Sequence, residues 1–154
     1  MTPMQKPTQI PIQDIYPAEF ARCFGCGRLN EHGHRIKTFK SGGLAVTEHE
    51  PEPMYTGAAD FAYGGLIASL IDCHSAGCAA IFWMEHEGLT MGKAPTPRFV
   101  TARLEVDYIA PTPLTTMRIT GRPEEVAQHK VIVTSELSAG GEVTATGRAV
   151  MVKI

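Results

Sequence analysis

Residues 63–86 read YGGLIASLIDCHSAGCAAIFWMEH, and the pattern inside this stretch decides the fold. Ile67, Leu70, Ile71, His74, Cys78, Ile81 and Phe82 recur at the spacing of one helical face, which predicts a helix from about residue 64 to 86. The opposite stripe is Gly65, Ala68, Ser69, Asp72, Ala76 and Ala79, small and barely polar. A helix without a wet face must be covered nearly all round. One flat sheet covers a single side, so the sheet is expected to curl around the helix and a second copy of the chain to cover the remainder. The expected architecture is α+β, a curved antiparallel β-sheet wrapped around one long central helix in an obligate oligomer. The run is nearly free of charge, but Asp72, His74 and its glycines and serines fit a buried core helix better than a membrane span.

The flanking sequence reads as β. Residues 35–40 and 44–50 form two short strand-like runs around Ser41-Gly42-Gly43, a hairpin signal. Ala102, Leu104, Val106 and Tyr108 alternate with Arg103, Glu105 and Asp107, so that strand has one apolar and one wet face, and Pro111 and Pro113 follow it. Further strands are expected at 114–121, 126–138 and 142–154, the last two joined by the turn Ala139-Gly140-Gly141. Residues 51–62 and 87–97 read as loops. Pro3, Pro7, Pro11 and Pro17 give residues 1–20 the character of an extended arm ahead of a single domain at 21–154.

The whole chain has 154 residues, of which 44% are hydrophobic and 19% charged, a globular composition of one-domain length. Fourteen Lys and Arg against 16 Asp and Glu leave a net charge of −2. That balance argues against nucleic acid or an anionic membrane as the main partner. The cysteines Cys23, Cys26, Cys73 and Cys78 make no disulfide framework, and the polar start does not read as a signal peptide, so a reduced, cytoplasmic location is expected.

Asp72 is the first candidate for chemistry, because a carboxylate on an otherwise apolar helix is costly to bury. It would serve as a general base or nucleophile. Tyr63-Gly64-Gly65 is the second. Glycines at a helix start let another molecule approach the free amides, whose dipole favours a developing oxyanion. Gly65 and Asp72 lie seven residues apart, about 10 Å along a helix. If both act on one bond, they come from different chains, with two antiparallel central helices packed through the small stripe.

These residues carry a resemblance. YGGLIASLID resembles the H-G-G-x-x-x-x-x-x-D helix of the PaaI-type acyl-CoA thioesterases of the hotdog fold. Cys23-Phe24-Gly25-Cys26-Gly27 with Asn30 and Gly33 is similar to the C-F-x-C-G-x-x-N-x-x-G opening of one branch of that family. Tyr55-x-Gly57 fits the loop ahead of the helix, and TARLEVDYIAPTP at 101–113 resembles the family strand that ends at a proline. The resemblance covers roughly residues 20–154. It implies thioester hydrolysis with Asp72 as general base or nucleophile, Gly64 and Gly65 polarising the carbonyl, Tyr63 at the place where the family usually has His, and Thr101 helping to place the water. Ser69, Ser75 and Phe61 are expected to face the substrate, an acyl-CoA. Arg98, Arg103, Arg118, Arg122, Lys130 and Arg148 are available for its phosphates, and Trp83 or Met84 for its acyl chain. No cofactor is implied, and the assembly would be a homodimer or homotetramer. The competing readings are a non-catalytic acyl-CoA or small-ligand binder, suggested by Tyr63, and a hotdog hydratase or dehydratase, for which no His is clearly placed.

Cys23-x-x-Cys26 with His32 and His34 raises zinc, but the spacing is unlike that of the common fingers, so a packed loop without metal is expected. His74 reads as a core histidine, Ser75 as a possible neighbour of Asp72, and Cys73 and Cys78 as small buried hydrophobes. Asp72, His74 and Ser75 do not make a triad, because His74 points about 200° away around the helix.

Overall fold

The computed structural model describes residues 10–154. Its centre is α1 (Gly64–His86), the span expected from the apolar periodicity. Around it curls one antiparallel sheet of β1 (Thr38–Ser41), β2 (Leu44–His49), β3 (Phe99–Tyr108), β4 (Met117–Val126), β5 (Lys130–Ala139) and β6 (Glu142–Lys153). The strand order is β1-β2-β4-β5-β6-β3; the curled sheet is the one the helix pattern implied, and the whole is the hotdog fold that the resemblance implied. α1 is long and apolar enough to cross a bilayer, but most of its surface is buried against the sheet.

All seven residues of the apolar stripe are buried, and Leu66, Leu70, Ile71 and Ile81 are covered almost completely. Each such side chain contributes about 1.5–3 kcal/mol on burial. The helix comes close to the sheet where the sheet has no side chain. A Cβ on Gly147 would lie 2.4 Å from Ile71 Cγ2, and one on Gly121 would lie 2.5 Å from His74 Nε2. The opposite stripe is different. Ala68, Ser69, Asp72 and Ala76 stay half-exposed in the single chain, whereas Ala79, expected among them, is fully buried.

Both Gly-Gly hairpins form as read. Gly140 and Gly141 both take positive φ, as a two-residue turn of the tightest hairpin type needs. The third strand boundary differs. β4 does not end at Gly121 but runs on through Pro123 to Val126, and the turn into β5 falls at 127–129. The register explains it. β2 pairs β4 only from Met117 to Gly121, so Pro123 faces no donor-hungry neighbour on that side, and a bulge between Pro123 and Glu125 absorbs the irregularity.

Residues 1–9 of the expected arm lie outside the described residues. The rest of it is not simply extended. It makes short 3-10 turns at Ile12–Ile15 and Ala18–Phe20. Ile12 is fully buried, and the Gln13 side chain bonds Thr38 through both its amide nitrogen (2.9 Å) and its oxygen (2.7 Å).

Candidate active site

Asp72 sits in the third turn of α1, on the half-exposed stripe, and accepts a 2.5 Å hydrogen bond from Thr101 Oγ1. A strand irregularity makes this meeting possible. Strict alternation along β3 would put Thr101 on the outer face with Arg103. A bulge between Thr101 and Arg103 shifts the parity. Thr101 pairs with Met151 and Leu104 with Ala149, two buried residues two positions apart on β6, so Thr101 and Leu104 face the helix together although three positions separate them on β3. The carboxylate borders a cleft of about 360 Å³ lined by Tyr16, Cys23, Cys73, Arg98 and Thr101 among others. Larger hollows lie along the sheet at Glu105, Arg122 and Arg148 and near the C-terminal end of α1 at Met84 and Leu89, away from Asp72.

The helix start forms a second, separate feature. Tyr63 caps α1 without a side-chain hydrogen bond to it, and its ring stacks on Tyr55 with centroids 6.3 Å apart. The Tyr63 amide donates to the Tyr55 carbonyl (3.2 Å), and Leu66 donates to the Tyr63 carbonyl (3.1 Å). The first-turn amides of Gly64 and Gly65 have no helical carbonyl four residues back. Tyr108 Oη donates to the Gly64 carbonyl (2.7 Å), and Ser69 Oγ donates to the Gly65 carbonyl (2.8 Å). A Cβ at position 65 would lie 2.5 Å from Tyr63 Cε2, so a side chain there would have to displace the Tyr63 ring. No acidic side chain occupies the first turn, so its positive dipole end is uncompensated from within α1. Helical rise keeps this start about 10 Å from Asp72 of the same chain.

The other expected site residues divide. Ser69 stays half-exposed beside Asp72 on the helix, and Phe61 is exposed in a bridge to Pro113. Ser75 is not available to substrate. It is fully buried, and its hydroxyl donates to the Ile71 carbonyl (2.7 Å), the local alternative open to a serine inside a helix. Met84 is core, and Trp83, near the far end of α1, donates to the Gln128 carbonyl (3.1 Å). Of the candidate cations only Arg98 reaches the Asp72 cleft, where Arg22 joins it. Arg103, Lys130 and Arg148 pair with Glu105, Glu125 and Glu124. His74 is a core histidine. Its Nδ1 meets Thr47 Oγ1 at 2.8 Å, its buried Nε2 has no partner among the described residues, and burial lowers its pKa to about 3.

Cys73 departs from its expected part as a mere core filler. Its sulfur lies 3.8 Å from that of Cys23, and the sulfurs of Cys23, Cys26 and Cys73 are all within 4.8 Å of one another. The Cys26 and Cys73 thiols and two backbone amides turn toward the Cys23 sulfur, holding that thiol far below its usual range. The same contact pushes Cys26 up to about 12. The histidines that the sequence placed beside this pair lie elsewhere. His34 packs among Phe24, His49 and Tyr55, and His32 is exposed.

No family model and no curated protein matches the chain. Solved structures do. A thioesterase superfamily protein from Shewanella loihica PV-4 is 38% identical, covering 80% of this chain and 95% of that one with a TM-score of 0.66. The E. coli PaaI protein from the phenylacetic acid degradation operon is 16% identical, covering 79% and 80%, with a TM-score of 0.63. The smu.793 protein of Streptococcus mutans, solved bound to acetyl CoA, is 19% identical, covering 77% and 88%, with a TM-score of 0.61. At those lower identities the likeness is one of fold.

Proposed function

Since this chain belongs to the thioesterase superfamily, as a PaaI-type hotdog protein, we propose that it hydrolyses an acyl-CoA thioester at a site shared by two copies of the chain. The observation that carries this reading is Asp72, held by Thr101 on the one half-exposed stripe of an otherwise buried helix. A carboxylate fixed in that way is poised to take a proton from water or to attack a carbonyl carbon itself.

The oxyanion donors come from a second copy. The Gly64 and Gly65 amides of one chain are too far from its own Asp72 to share a bond with it. Two features favour a partner here. Among the described residues β3 is an edge strand, paired only with β6, and an open strand edge of ten residues invites another strand. Beside it runs the small half-exposed stripe of α1, over which a second central helix can approach closely. Antiparallel pairing of the two helices brings each Asp72 toward the other chain's helix start.

The reaction then balances without a cofactor. Water adds to the thioester carbonyl as Asp72 takes its proton, the helix-start amides receive the oxyanion, and the C–S bond breaks. The CoA sulfur leaves as thiolate and is protonated, giving CoA thiol and a carboxylic acid. If Asp72 attacks directly, the same bond breaks and water hydrolyses the resulting anhydride. Arg22 and Arg98 offer the cleft's positive charge to the CoA phosphates. Bound CoA or acetyl CoA in fold neighbours agrees with this substrate class.

The test is release of free thiol from aromatic, short-chain and medium-chain acyl-CoA esters. Hydrolysis of at least one, falling about 10²–10⁴-fold in Asp72→Asn, is expected. Tight binding without turnover of any ester would instead favour the non-catalytic binder that Tyr63, in place of the family's His, suggests.

A further inference from the structure

We propose that Cys23, Cys26 and Cys73 form a Zn²⁺ site, a three-thiolate centre whose fourth position opens on the cleft beside Asp72. Four ligands at the usual Zn–S length of about 2.3 Å form a tetrahedron with edges of about 3.8 Å. The Cys23 and Cys73 sulfurs stand 3.8 Å apart, and the third sulfur joins both within 4.8 Å. That spacing is far longer than a disulfide and suits a shared cation between the sulfurs.

The loop that brings them together is built for the purpose. Cys23-x-x-Cys26-Gly27 closes with the Gly27 amide on the Cys23 carbonyl (2.8 Å). Gly25 is pressed against the helix, where a Cβ would lie 2.2 Å from Cys73 Sγ, so only glycine lets the two segments close to ligand distance. The Ile36 amide on the Gly25 carbonyl (3.0 Å) and the His34 amide on the Phe24 carbonyl (2.8 Å) fix the loop from its other side.

Three soft thiolates select Zn²⁺ over the hard cations Mg²⁺ and Ca²⁺. Binding displaces the thiol protons into solvent and changes no oxidation state. All three cysteines line the same cleft, so the fourth position is filled by water and remains exchangeable. The ion would tie the 21–36 loop to the turn of α1 that carries Asp72. This inference stands on the sulfur geometry alone and is independent of the thioesterase reading.

The experiment uses the full chain, reduced, stripped of metal and titrated anaerobically with Co²⁺ and then Zn²⁺. Expected are one Co²⁺ per chain with thiolate-to-metal charge-transfer and tetrahedral d–d absorption, loss of that spectrum on adding Zn²⁺, and a Zn²⁺-dependent rise in Tm. Cys23→Ser, Cys26→Ser and Cys73→Ser should each abolish stoichiometric retention, while Cys78→Ala, a core cysteine outside the trio, should keep it. The proposal is overturned if the reduced wild-type chain shows no cobalt–thiolate absorption, or if a folded Cys73→Ser chain retains it. The wild-type titration decides the matter even where a serine variant does not fold.

Discussion

Mixing two inactive chains gives a numerical test of the shared site. Seven residues of helix place Gly65 about 10 Å from Asp72, whereas reacting groups must meet at about 3 Å. Asp72→Asn removes the base. Gly65→Val blocks the helix start, since even a Cβ there would lie 2.5 Å from the Tyr63 ring. Each variant alone should be inactive. When equal amounts are denatured together and refolded, about half of the dimers pair one chain of each kind. Such a dimer has one site with both defects and one with neither, so the mixture should recover about one quarter of wild-type turnover per chain. The converse mixture sharpens the result. Equal wild-type chain and Asp72→Asn/Gly65→Val double variant should give about one quarter of wild-type turnover if sites are shared, and about one half if each chain works alone. Thiol release at saturating acyl-CoA is the assay, with circular dichroism and native mass to establish that every variant is folded and dimeric. Absence of recovery from two folded, exchanging variants would refute the shared site.

Two further outcomes follow from single contacts. Thr101→Ala removes the hydrogen bond to Asp72 and should lower kcat by about 10- to 100-fold with little change in KM, a loss of about 1.5–3 kcal/mol typical of a bond to a charged group; Thr101→Ser should restore most of it, and an unchanged kcat would remove Thr101 from its positioning role. His74 has its folded pKa depressed by burial from 6.5 to about 3, so its stabilising contribution is complete above the unfolded value and is lost as pH falls below it. Urea unfolding should therefore show the wild type losing about 2 kcal/mol more than His74→Gln between about pH 7.5 and pH 5, and parallel profiles would refute it.

Much of this molecule is legible in its residue order. The bounds of α1, the buried face from Ile67 to Phe82 and both Gly-Gly hairpins follow from local periodicity and backbone preference, which act over a few residues. Asp72 stands out for the same reason, as one charge where the pattern demands none. The end of β4 is not legible, because Pro123 is tolerated only where β2 has already stopped pairing. Ser75 is misread because its nearest acceptor is its own helix backbone. Alternation along β3 points Thr101 outward, and only the bulge, fixed by pairing with β6, turns it to Asp72. Cys73 joins Cys23 and Cys26 across fifty residues of chain through a close approach at Gly25 that no spacing rule encodes. The sequence by itself determined the helix, its greasy face and the lone acid on it, since those depend on each residue's own chemistry and its near neighbours. The partners of that acid were decided by the tertiary structure, because register, bulge and loop contact are settled only when distant segments compete for the same space.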